Sequence, residues 1–112
     1  MASAALLCTA CGTGTFIELR VQSRLAIPSE VDSLRVQALD PSDEARLLLD
    51  REAVLAASES FPITVILEPV DTSPQDVIID VIALLEDNEL TGVRATGRFE
   101  QDVTTRIEVT LP

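Results

Sequence analysis

The groups in this sequence able to do chemistry are two cysteines, nineteen carboxylates and eight arginines, with no histidine, lysine, tryptophan or tyrosine among its 112 residues. Without histidine, no Ser-His-Asp or Cys-His nucleophile pair can be assembled, nor any His-containing zinc or iron site. Cys8 and Cys11 form a Cys-x-x-Cys, which could be a redox pair or half a metal site, but no second pair follows and no strand precedes it. Val70-Asp71-Thr72-Ser73 offers the Asp-Thr-Ser triplet of aspartic proteases, in which two aspartates share a proton and activate water. The match stops at the triplet: Pro74 follows directly, and no Gly-rich flap comes after it, so the segment reads as an Asx turn between strands.

Six of the other acids fall in two clusters, Asp40, Asp43 and Glu44, and Glu86, Asp87 and Glu89. Together they could ligate calcium, which takes several oxygen ligands. Neither cluster has the Asp-x-Asp-x-Asp-Gly spacing of a dedicated loop, so solvated turns are the expected reading, with no metal and no cofactor. Carboxylate-based sugar hydrolysis meets a similar objection, since no Trp or Tyr is present to platform a sugar ring. The formal charge of -11 and only three Phe argue against a nucleic-acid partner, which needs clustered cations or stacking aromatics. The same charge disfavours an anionic membrane surface, so any membrane association has to come from a lipid.

Cys11 has a context of its own. Ala4-Ala5-Leu6-Leu7-Cys8-Thr9-Ala10 is a short apolar run that ends in a small residue, and Gly12-Thr13-Gly14-Thr15 follows Cys11 as a spacer. This is the arrangement of a bacterial lipoprotein processing site, with Cys11 the lipidated residue and the residues before it an address. Cys8 stands where Leu is usual, and Met1-Ala2-Ser3 lacks the positive charge that opens a secretory signal; a start codon placed too far downstream accounts for the missing charge. The competing reading is a disordered cytoplasmic N-terminus holding two reduced thiols. On this basis 1–14 is a signal and lipobox remnant with its spacer, and 15–112 is a single folded domain, the 46% hydrophobic content of the whole chain being enough for one modest core.

The elements that must carry these groups read as strands. Ile17, Leu19 and Val21 alternate with Glu18, Arg20 and Gln22, and Pro28 breaks the pairing that follows. Leu34, Val36 and Ala38 alternate in a second strand, closed by a turn at Asp40-Pro41-Ser42-Asp43. From Asp40 to Ala56 a capping residue, an early proline and strong helix formers favour helix, but the Leu47-Leu48-Leu49 run leaves no clean polar face. A strand near Arg46 to Leu49 with an irregular connection through Ser60 is expected. Further strands are expected from Pro62 to Leu67, from Asp76 to Leu85 (a β-branched run of the kind covered on both faces), from Thr91 to Phe99 and from Thr105 to Leu111, with an acidic turn at Glu86-Asp87-Asn88-Glu89. About seven strands separated by turns predict an all-β, antiparallel two-sheet sandwich with Ile17, Leu19, Val21, Leu34, Val36, Val65, Ile79, Val81, Phe99, Ile107 and Val109 in its core.

With the strands placed, the chain resembles a loose group of secreted lipoproteins of GC-rich Gram-negative bacteria whose mature part begins with an immunoglobulin-like or fibronectin-III-like sandwich. The likeness rests on Cys11, on Ile17-Glu18-Leu19-Arg20-Val21, on the segment Leu25 to Val36 and on Phe61-Pro62-Ile63-Thr64-Val65. No cysteine follows Cys11, and the Trp and corner Tyr of antibody-type domains are missing. The resemblance implies a fold and a place in the cell envelope, periplasmic or at the outer membrane. The functional expectation is a non-catalytic module, structural or protein-binding, tethered by a lipid and open to a protein partner by edge-strand pairing. The alternatives are a small carboxylate-dependent hydrolase, or one domain of a longer secreted protein.

Overall fold

The computed structural model of the chain describes residues 14–69 and 74–112. Among them are seven strands and no helix: β1 (Phe16–Gln22), β2 (Ser33–Asp40), β3 (Asp43–Val54), β4 (Ile63–Leu67), β5 (Gln75–Leu85), β6 (Asn88–Phe99) and β7 (Thr104–Thr110). They form two sheets, one in the order β4-β1-β7 and one in the order β3-β2-β5-β6. The shortest of the molecule's three dimensions, 18 Å, is that of two stacked layers. The fold is an all-β sandwich.

Period-two alternation places the core. Ile17, Leu19 and Val21 of β1 face Val77, Ile79, Val81 and Ala83 of β5 and Leu34, Val36 and Ala38 of β2 in one buried cluster. Leu34, Val36, Ile79, Val81, Phe99 and Val109 are buried as the sequence pattern requires, whereas Val65 and Ile107 are only half-buried. Both lie on the outer strands of the smaller sheet, where the neighbouring inward residues Ile63, Leu67 and Val109 are buried.

Three sequence expectations need correcting. The sandwich is not wholly antiparallel, because β1 pairs with β7 in parallel register from Phe16↔Thr104 to Gln22↔Thr110, while its other side pairs antiparallel with β4. The strand after Asp40 is longer than expected: β3 runs for 12 residues and forms a hairpin with β2, so the irregular connection through Ser60 begins only at Leu55. The cap signals there do act, but on a turn, since the Asp40 carboxylate accepts from the Ser42 backbone N–H at 2.9 Å and the Asp43 carboxylate from that of Ala45 at 3.2 Å. Finally, β5 is covered by a second layer on one face only, with Ile78 and Ile82 half-buried on the other.

The two sides of the sandwich differ. β6 and β7 approach each other closely across the sheets, whereas β3 and β4 do not. Their outer edges are therefore the open ones. β4 is short and bracketed by Pro62 and Pro69, which blunts it as a template for further pairing.

Candidate functional site

The two acidic clusters lie at opposite ends of the larger sheet. β2 runs antiparallel to β5, so Asp40 sits beside the start of β5 and the Glu86-Asp87 turn sits beyond its end. With a rise of about 3.3 Å per residue, β2 alone separates them by roughly 25 Å. Asp40, Asp43 and Glu44 are thus not brought together with Glu86, Asp87 and Glu89, and no group of three or more carboxylates or thiols able to hold a metal occurs among the described residues. Glu86 and Asp87 form a two-residue hairpin turn with φ of 51° and 68°, and Glu89 belongs to β6. The Glu86 backbone N–H donates to Asp32 at 3.0 Å, which ties this turn to the loop before β2.

At the other end the tip of the β2–β3 hairpin folds over the outer face of the sheet. Strands about 4.8 Å apart would put β3 and β6 about 14 Å from each other if the sheet were flat. Yet Glu44 of β3 meets Arg94 of β6 at 2.9 Å, and Pro41 lines a hollow together with Asp76, Ile78, Thr96 and Arg98. The bend comes from two register shifts, between Ala38 and Leu39 and between Leu39 and Asp40, where bulges turn the hairpin.

The outer face carries a lattice of arginine–carboxylate pairs. Arg94 grips Asp80 with two bonds of 2.7 and 3.0 Å and Glu44 with a third; these bonds, those donated to Asp80 first, hold its pKa above the ordinary arginine value. Arg98 meets Asp76 at 2.9 Å, and Arg35 holds Asp50 with two bonds of 2.6 and 3.0 Å. On the smaller sheet Arg20 pairs with Glu108 and Arg106 with Glu18. The hydrogen bond from Arg35 keeps Asp50 below the usual aspartate range, and the bonds from Ser42 do the same for Asp40. Both shifts favour the charged form, the opposite of what a general acid needs.

The sign of these shifts sets a pH dependence. A carboxylate with a depressed folded pKa contributes stability that is present above its unfolded value, about 3.9 for Asp, and lost as pH falls through the folded one. Acidification from about pH 4 to about pH 2 is therefore expected to lower the melting temperature. Because Asp50 is exposed and Asp40 remains partly open to solvent the loss is modest, and Asp50→Asn, which has no proton to take up, should show a smaller one. Thermal melts followed by circular dichroism across that range check it.

The remaining feature is the free edge of β3. From Leu49 to Val54 it pairs regularly with β2 on one side only. Val54 is 79% and Leu47 is 47% exposed. Arg51 shares a register row with buried Val36, yet it is exposed because β3 overhangs the three-stranded sheet. Cys8, Cys11 and the segment Val70-Asp71-Thr72-Ser73 lie outside the described residues. No helix among the described residues is long and apolar enough to cross a membrane. In comparisons with known proteins, no family model matches the chain, and neither a curated protein nor a solved structure does.

Proposed function

We propose that the chain is a non-catalytic β-sandwich module of the cell envelope, held at a membrane by a lipid on Cys11, that works by contact with another protein strand at the β3 edge. It would thus be a lipoprotein of the immunoglobulin-like or fibronectin-III-like kind that its sequence resembles. The observation that carries the binding part is the 12-residue β3 with hydrogen bonds on one side only. In support, Asp40, Asp50, Asp76, Asp80 and Glu44 are each paired with an arginine, including Asp40 and Asp76, which line one hollow beside Arg98.

In its charged stretch the edge disfavours pairing with its own copy. In a two-fold antiparallel pairing that keeps the sheet faces continuous, whichever of Asp50, Arg51 or Glu52 lies on the axis meets the same residue of the second chain. Like charges directly opposite are destabilising, so these three registers are disfavoured for a second copy, and the proposed partner is another protein strand with basic or neutral residues facing Asp50 and Glu52.

Two measurements test this reading. In the native host the protein should fractionate with membranes, and Cys11→Ala should release it; membrane partitioning that survives the substitution refutes the tether. The amides of Leu49–Val54 that β2 does not bond should exchange rapidly in the purified domain and slowly in intact envelopes. Equal exchange in both settings refutes the edge.

A further inference from the structure

We infer that the sandwich is a load-bearing spacer, in which tension between its two ends is carried in shear by the parallel β1–β7 pair and the register of that pair is locked by charge. Parallel pairing places the start of β1 and the end of β7 at opposite poles, because Phe16 lies beside Thr104 and Gln22 beside Thr110. Tension applied before Phe16 and after Thr110 then pulls the two strands past each other along their axes. Every hydrogen bond of the pair is loaded at once; had the two strands been antiparallel, both ends would leave at one pole and the bonds would open one by one. The ladder continues past the strands, with the Phe16 N–H donating to Val103 at 3.3 Å and the Leu111 N–H to Gln22 at 2.8 Å.

The boundary between these strands is the one that yields. β1 is central in its sheet and held on its far side by β4, whereas β7 is bonded to β1 alone. A slip of one residue would turn the inward row of β7, with Ile107 and Val109, out to solvent. A slip of two, about 6.6 Å, keeps the faces and is the cheapest escape. Here Glu18 and Arg20 of β1 stand opposite Arg106 and Glu108 of β7. Under tension Arg106 moves from Glu18 toward Arg20, so the escape register sets two arginines face to face and leaves Glu18 without its partner.

This inference needs the strand pairing alone and stands independently of the tether at Cys11 and of the β3 edge. The test is single-molecule pulling on the full chain with Cys8 and Cys11 replaced by Ser. Handles are placed on cysteines introduced at Thr15 and Pro112, or at Thr15 and Val103, the latter peeling β7 from β1 at one pole. End-to-end pulling is expected to unfold the domain at a force about two-fold above same-pole pulling, since forced unfolding follows the barrier along the pulled direction.

The double substitution Glu18→Arg with Arg106→Glu isolates the lock. It restores both native pairs but makes the slipped register attractive, because the new acid at 106 then arrives at Arg20. The denaturation midpoint should hold, while the end-to-end force falls toward the same-pole value. Equal forces in the two directions overturn the load path. An end-to-end force that the charge swap leaves unchanged overturns the lock.

Discussion

Phe99→Ala is expected to lower the stability of the domain by about 3–5 kcal/mol, the usual cost of removing a buried aromatic side chain. Phe99 closes β6, is 1% exposed and belongs to the single buried cluster that both sheets share. The loss has two parts: apolar area returned to water, and a cavity that the rigid strands around it cannot collapse to fill. A domain of this size holds roughly 5–15 kcal/mol in total, so the variant should be partly unfolded near 37 °C. Chemical denaturation followed by circular dichroism measures the difference. Ile66→Ala, on an exposed position of β4, should stay within about 0.5 kcal/mol of the parent. A Phe99→Ala midpoint as high as that of the control would mean that the core is not organised around this residue.

What was legible in the sequence followed from period. Ile17, Leu19 and Val21 announce a half-buried strand unaided, because one face of a sheet fixes every second residue. In the β5–β6 hairpin the pairing register was not legible. Asp80 with Arg94 and Asp76 with Arg98 lie one residue off the mirror positions about the Glu86-Asp87 turn, because a bulge between Ala83 and Leu84 shifts the register, and both pairs form. The turn itself lacks the Asn-Gly signature, yet its two residues take positive φ, so the long β-branched strand dictates its geometry.

Other features were not legible, for identifiable reasons. From Asp40 to Val54 local propensity speaks for helix, and only the pairing partner β2, together with the absence of a polar helical face, decides for strand. The contact between Glu44 and Arg94 depends on how the hairpin bends at its bulges, which neither residue's neighbours encode. The parallel β1–β7 pair was missed because alternation fixes which face of a strand is buried and says nothing of which strand lies beside it or in which direction it runs. The candidate edge follows from the same missing information. Six charged residues in β3 read as a solvated surface until the sheet order shows that nothing pairs outside them.

The second large effect is expected at Gly97, where valine should cost about 1–3 kcal/mol through overpacking. Gly97 lies on the inward row of β6, at the side where the two sheets close on each other. A Cβ there would stand 2.5 Å from the Ile107 side-chain tip and 3.5 Å from the tips of Ile17 and Ile79. Ile107 is half-buried and can swing outward, so Gly97→Ala should be nearly neutral, the clash offset by the roughly 0.5–1 kcal/mol that an interior strand glycine forgoes in backbone entropy. Valine adds two methyls that Ile107 alone cannot accommodate, since Ile17 and Ile79 are fully buried and have nowhere to move. Its gain in strand propensity, at most about 1 kcal/mol, is too small to compensate. Adding Ile107→Ala to Gly97→Val should recover part of the loss, because the two side chains would compete for one volume; a double-mutant cycle reads that coupling directly. A Gly97→Val domain as stable as the parent, or a cycle with no coupling to position 107, would show that the sheets do not meet at this point.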